Sequence, residues 1–249
     1  MKKLAVLSLL TVGFMHVNQS RAAALYSTDF NNLANGDLVG QDNWAAYSAA
    51  ALTPVQISGG EISLAQGSGS REDVERDLGA TMGSGDTWFY SFDVAVTGDS
   101  STNYFAMLWQ NTTTFDARLF VAPTTEGDFT FGIGSGSTVG AEWNSALTFG
   151  TTHKVVVGYD FDSTDVTLWV DPASGTSPSV TYTGGSSHPV TAIAFRQATG
   201  SSATETIDNL AVGTSFNDVT AAPEPSALAL AGAGSLLVWS LHRRRQINF

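Results

Sequence analysis

The stretch Trp88-Phe-Tyr-Ser-Phe-Asp-Val-Ala-Val96 decides the fold. In an extended chain Trp88, Tyr90, Phe92, Val94 and Val96 fall on one face and Ser91, Asp93 and Ala95 on the other, the period-two pattern of a strand buried on one side. Similar runs follow at 104–109, 117–121, 128–133, 153–161, 165–170, 191–196 and 206–212. Turn-forming clusters such as Thr97-Gly-Asp-Ser100, Gly134-Ser-Gly-Ser137, Asp171-Pro-Ala-Ser-Gly175 and Gly184-Gly-Ser-Ser187 separate them. No amphipathic helix of convincing length occurs; residues 71–78, with mixed charges and a Gly-rich approach, read as a loop leading into a strand. The turns are too short for parallel β-α-β units, so the pattern predicts an all-β fold, an antiparallel two-sheet β-sandwich or jelly roll.

The two ends of the chain read differently. Met1-Lys2-Lys3, a mainly apolar run over 4–17 and the small residues Ala22-Ala23-Ala24 form a cleavable signal helix, 1–24, with Leu25 the first mature residue and signal peptidase the implied partner. At the other end, 220–249, the rigid tripeptide Pro223-Glu224-Pro225 precedes sixteen apolar or small residues, 226–241, and the basic block Arg243-Arg244-Arg245. Sixteen helical residues span about 24 Å, slightly less than a bilayer core of about 30 Å, so a transmembrane helix here crosses with local thinning or snorkelling. The arginines belong on the cytoplasmic side, which leaves everything before Pro223 outside. This ordered triplet of features resembles the PEP-CTERM sorting signal of Gram-negative bacteria. The resemblance implies export, transient anchoring in the inner membrane, cutting near Pro-Glu-Pro by an exosortase, and a final place at the cell envelope, the outer surface or the extracellular matrix. An ordinary anchor helix that is never removed is the alternative reading.

Between the ends lies one domain, 25–219. The whole chain carries 11 basic and 23 acidic residues; setting aside Lys2, Lys3, Arg21, Arg243, Arg244, Arg245 and Glu224 leaves 5 basic and 22 acidic, a net charge of about −17. Such a surface repels phosphate backbones, so nucleic acid is not an expected partner. The chain has no cysteine. That excludes thiolate catalysis, thiolate metal sites and disulfide staples, which a domain of this length can do without.

Asp29-Phe-Asn-Asn-Leu33, Gly40-Gln-Asp-Asn-Trp44, Leu168-Trp-Val-Asp-Pro172 and Ile207-Asp-Asn-Leu-Ala-Val-Gly213 loosely resemble pieces of concanavalin A-like and laminin-G-like jelly rolls. The resemblance implies that the first and last strands meet in one sheet. It also places a structural calcium, Ca2+, near the chain ends, where Asp29 and Asp208 would approach each other; two such carboxylates need a cation or a shared proton.

For catalysis the sequence offers little. Jelly-roll glycoside hydrolases carry Glu-x-Asp-x-x-Glu on one strand, and that string is missing here. The nearest acidic clusters are Glu72-Asp73-Val-Glu75-Arg-Asp77, read as a solvated and partly paired loop, and Asp160-Phe-Asp162-Ser-Thr-Asp165, read as a polar hairpin that lacks the EF-hand's central Gly and terminal Glu. His153 and His188 sit beside turn residues and read as surface groups, and no Gly-x-Ser-x-Gly elbow occurs. Sugar binding needs exposed flat rings. The candidates are Trp143, first because Glu142 and Asn144 flank it in a loop-like region, then Trp44, Trp109 and Trp169; Trp109 is expected to share a face with Phe105 and Met107. The reading is a non-catalytic surface or matrix protein that binds glycan or another extracellular polymer or acts structurally. The alternative is a secreted carbohydrate-active enzyme of glycoside hydrolase type with an unrecognised acidic pair.

Overall fold

The computed structural model describes residues 24–98, 101–200 and 203–220; the signal segment before Ala24, Pro223-Glu224-Pro225, the apolar run 226–241 and the three arginines lie outside the described residues. The decisive stretch forms β7, Thr87–Thr97, whose residues 88, 90, 92, 94 and 96 are all buried as the alternation requires. Before it come β1 (Tyr26–Thr28), β2 (Gly36–Asp37), β3 (Trp44–Ser48), β4 (Gln56–Ser58), β5 (Glu61–Ala65) and β6 (Asp73–Asp77). After it come β8 (Asn103–Asn111), β9 (Thr114–Ala122), β10 (Thr130–Gly134), β11 (Ala141–Glu142), β12 (Thr152–Asp160), β13 (Asp165–Val170), β14 (Val180–Thr183), β15 (Ala192–Phe195) and β16 (Thr204–Gly213), then a short helix α1 (Phe216–Thr220).

The strands form two antiparallel sheets. One has nine strands, ordered β14-β13-β12-β7-β16-β5-β4-β2, with β1 added alongside β16; the other has seven, ordered β11-β10-β9-β8-β15-β6-β3. The first and last strands do meet, with Tyr26 opposite Val212 and Thr28 opposite Leu210. The six short strands before β7 carry weaker alternation than the later ones. Residues 71–78, expected as a loop leading into a strand, instead supply β6 itself, in the interior of the seven-stranded sheet between β15 and β3. Pairing on both sides overrides the poor intrinsic preference of Asp-Val-Glu-Arg-Asp for a strand.

Aromatic rings bridge the two sheets. Phe92 of β7 meets Phe105 of β8 edge-on at 6.0 Å and Phe195 of β15 at 5.7 Å, and Phe195 stacks on Trp44 of β3 at 5.7 Å. The buried Tyr90 hydroxyl donates to the Ala117 carbonyl at 2.7 Å, tying β7 to β9. Ala117 itself adopts a left-handed φ of 49° at a bulge where β9 carries two residues, Ala117 and Arg118, against one of β8.

One end of the sandwich is closed by polar groups. Gln197, just after β15, accepts from the Ala65 N–H of β5 and donates to the carbonyls of Thr53 and Glu72, while its own N–H donates to Asp73. Beside it Glu205 points inward from β16, opposite Leu64 and Val96, and accepts one hydrogen bond from the Gln66 amide at 2.7 Å. Burial pushes this carboxyl up to about 7 from an ordinary 4.5. Because the folded state holds the proton more tightly than the unfolded chain, its contribution is intact below about pH 4.5 and stability falls as the pH rises toward 7. Glu205→Gln is expected to raise stability by about 3 kcal/mol at pH 8 and to leave it unchanged at pH 4, read from urea unfolding at both pH values.

Candidate functional site

The inner faces of both sheets are filled by the core, so any binding surface has to use an outer face. In β8 the alternation slips. Phe105, Ala106 and Leu108 all join the core, because register shifts separate Tyr104 from Ala106 and Ala106 from Leu108. Trp109 therefore does not share a face with Phe105, as simple alternation predicts. It projects outward with Tyr104, beside the small side chain of Ala192 in β15.

Around Trp109 the outer face of the seven-stranded sheet gathers aromatic and cationic side chains from four separate parts of the chain. Tyr47, next to a register shift in β3, brings its ring to 5.7 Å from Trp109 and 6.2 Å from Phe115 of β9. The Arg118 guanidinium lies 4.6 Å from the centre of the Tyr104 ring and 5.0 Å from that of Phe115, and the Arg196 guanidinium 4.4 Å from Tyr104. Tyr47, Tyr104, Trp109, Phe115, Arg118 and Arg196 are each half-buried. Tyr47 Oη, Trp109 Nε1 and Arg118 Nε lie out of water without a hydrogen-bond partner. The indole N–H groups of Trp44 and Trp169 are enclosed in the same way, so what sets this patch apart is its gathered rings and guanidiniums. Burial holds the Tyr47 hydroxyl far above its usual ionisation range, so the group is a neutral donor.

The other tryptophans are placed differently. Trp44 is 2% exposed and belongs to the core, stacked on Phe195, which rules it out as a platform. Trp169 faces outward from β13, as alternation predicts, but Phe216 of α1 covers it at 5.2 Å. That helix is held by Ser91 Oγ–H donating to the Val219 carbonyl at 2.5 Å and by the Ser215 N–H donating to Asp218. Trp143 follows β11 at the sheet edge, pinned by its N–H to the Phe131 carbonyl and packed half-buried against the core, three strands from Trp109.

The acidic candidates form two groups. On the outer face of the nine-stranded sheet, a depression of about 310 Å³ is lined by Glu61, Asp93, Thr152, Thr206 and Asp208. The fold brings Asp29 close enough to Asp208 for its charge, after burial and the charge of Asp93, to help push that carboxyl up. Lys154 pairs with Asp93 at 2.8 Å and the Asn209 amide donates to both Asp93 and Asp208, so the corner's charge is already partly balanced. Among the described residues no group of three or more His, Asp or Glu is arranged to hold a metal ion. Asp160, by contrast, accepts from the backbone N–H groups of Asp162 and Ser163, as a hairpin turn requires. On the seven-stranded sheet Glu75 and Asp77 alternate along β6, and burial followed by the charge of Asp77 raises Glu75 above the usual carboxylate range. His153 pairs with Asp171 at 2.7 Å and His188 with the buried Asp116 at 3.0 Å.

Sequence reading missed Tyr47, Tyr104, Phe115, Arg118 and Arg196. The available signal was the scarcity of basic residues: Arg118 and Arg196 each interrupt or end an apolar strand in a domain with few cations.

Comparison with known proteins bears on the tail and on the fold separately. Residues 221–245 match the PEP-CTERM protein-sorting motif, the mark of an exported, envelope-associated protein sorted through an exosortase. No curated protein matches the chain by sequence. The sandwich is similar to part of a sialidase, with a TM-score of 0.56 and 17% identity over 79% of this chain; the chain spans 19% of that protein's length. It is also similar to the carbohydrate recognition domain of Emp46p in its metal-free form (TM-score 0.47, 11% identity, 77% of this chain and 97% of that one). A third likeness is an alginate lyase from Alteromonas sp. 272 (TM-score 0.41, 14% identity, 68% and 92%). The fold is an antiparallel two-sheet β-sandwich of the jelly-roll kind.

The two tryptophan environments predict opposite responses to truncation. Trp44→Ala is expected to cost about 3–5 kcal/mol in urea unfolding, since a buried ring leaves a cavity, whereas Trp109→Ala costs about 1 kcal/mol and leaves a cooperative transition.

Proposed function

We propose that this chain is an exported, non-catalytic binding protein of the cell envelope or extracellular matrix, and that its sandwich holds extracellular polysaccharide on the outer face of the seven-stranded sheet. The observation that carries this reading is the pair of partly exposed rings Tyr47 and Trp109, 5.7 Å apart on the outer face of the seven-stranded sheet. Pyranose rings stack on flat aromatic faces of this kind. For the tail, the proposal is signal peptidase removing 1–24, the helix 226–241 anchoring the protein transiently in the inner membrane, and exosortase cutting near Pro223-Glu224-Pro225. The matched sorting motif supports that order of events.

One observation favours a second reading. Glu75, raised above the usual carboxylate range by burial and then by the charge of Asp77, stands beside Asp77 on the same outer face as Trp109, and a pair of neighbouring carboxyl groups is what glycosidases use. Release of new reducing ends from polysaccharide, lost in Glu75→Gln, would establish the enzyme; bound but uncut polymer keeps the binding reading.

Two experiments test the proposal. In affinity electrophoresis against a panel of soluble polysaccharides, Trp109→Ala is expected to weaken retardation about tenfold or more, while Trp143→Ala and Trp169→Ala retain it. Replacing Pro223-Glu224-Pro225 by alanines is expected to leave a larger, membrane-retained form in fractionated cells; unchanged size and location would remove exosortase from the account.

A further inference from the structure

The basic residues of the domain are few, and their pairing is uneven. Arg76 has Asp42 at 3.7 Å and Lys154 has Asp93 at 2.8 Å. Arg118 and Arg196 have no ion pair among the described residues, yet both stand against the same ring, that of Tyr104. The carboxylates within electrostatic reach are committed elsewhere. Asp73, whose field reaches Arg196, accepts the Gln197 N–H at 2.8 Å. Asp116, whose field reaches Arg118, is 1% exposed and bound to His188. The fold thus holds two like charges together, partly desolvated, in a domain with an excess of carboxylates available to neutralise them. Tyr104 accounts for part of this, since its ring attracts both guanidiniums. It supplies no acceptor for their N–H groups, and a guanidinium presents up to five donors in a fixed fork.

From this arrangement we infer that the site takes an acidic polysaccharide, its uronate carboxylates bound by Arg118 and Arg196 while the adjoining sugar rings lie on Trp109 and Tyr47. The inference rests on the glycan-binding reading and adds the charge of the ligand. A carboxylate matches the guanidinium fork through two parallel hydrogen bonds, and the aromatic pair beside it accepts the apolar face of the next ring. Most of the domain is strongly acidic, and Glu75 and Asp77 lie farther along the same face, so such a polymer is drawn to the two guanidiniums and repelled by the surface around them.

The test compares polygalacturonate with its fully methyl-esterified form, which keeps the sugar chain and removes the charge, and with neutral dextran and cellulose, all against the full exported protein. The expected result is binding to polygalacturonate that weakens with added salt and falls about tenfold or more for the ester. Arg118→Gln and Arg196→Gln are expected to lose that preference, and Arg196→Lys to keep only part of it. Lys154→Gln, on the other sheet, should bind as the unaltered protein does. Thermal melting of each variant separates lost binding from lost folding, and Arg196→Lys serves if a glutamine variant unfolds. Equal binding to the acid and the ester, binding to neutral polymers alone, or glutamine variants that fold and bind unchanged would overturn the inference and leave glycan binding standing. Absence of binding to every polymer would overturn both.

Discussion

The structure depends on the packing of aromatic rings between two sheets that no disulfide joins. With no cysteine in the chain, Phe92 on one sheet and Phe105, Phe195 and Trp44 on the other supply what a disulfide supplies in smaller exported domains. Each large buried apolar side chain contributes on the order of 1.5–3 kcal/mol. The inner faces are therefore spoken for, and recognition is left to the outer ones. These differ sharply. The nine-stranded sheet is covered at one end by α1, and elsewhere carries acidic side chains, one paired with Lys154 and two hydrogen-bonded by the Asn209 amide. The seven-stranded sheet presents aromatic rings and two arginines that have no ion pair among the described residues, with Glu75 and Asp77 farther along the face.

Much of the fold was legible because the long strands alternate cleanly. Trp88 to Val96 states its two faces in the sequence, and the structure buries the predicted one. The meeting of β1 and β16, implied by the jelly-roll resemblance of the end segments, is also present. What could not be read was whatever depends on a neighbour far away in sequence. Residues 71–78 have too many charges to look like a strand, and become one because β15 and β3 pair with them on either side. The bulges in β8 turn Trp109 away from Phe105, and nothing in 104–109 announces them.

The site was legible in part for the same reason. Trp109 was among the four tryptophans that chemistry singled out, but the ranking among them depends on what covers each one. Trp169 is shielded by Phe216, and Trp44 is enclosed by the rings of Tyr26, Phe30 and Phe195. Trp143, flanked by polar residues, sits against the core at a sheet edge. Arg118 and Arg196 converge on Tyr104 only after β9 and β15 have paired on either side of β8, so their kinship is a property of the sheet. The tail needed no such assembly: its signal is linear, and the matched motif begins at residue 221, directly after the docked helix that ends at Thr220.

The account's central claim is that recognition occurs on the outer face of the seven-stranded sheet, and the most direct measurement is nuclear magnetic resonance of the exported protein titrated with oligogalacturonates. The account predicts shifts at the Trp109 indole N–H and at the Nε–H signals of Arg118 and Arg196, with the indoles of Trp44, Trp143 and Trp169 unmoved. Shifts centred on Trp143, shifts confined to the acidic face around Asp93 and Asp208, or an unchanged spectrum would contradict it.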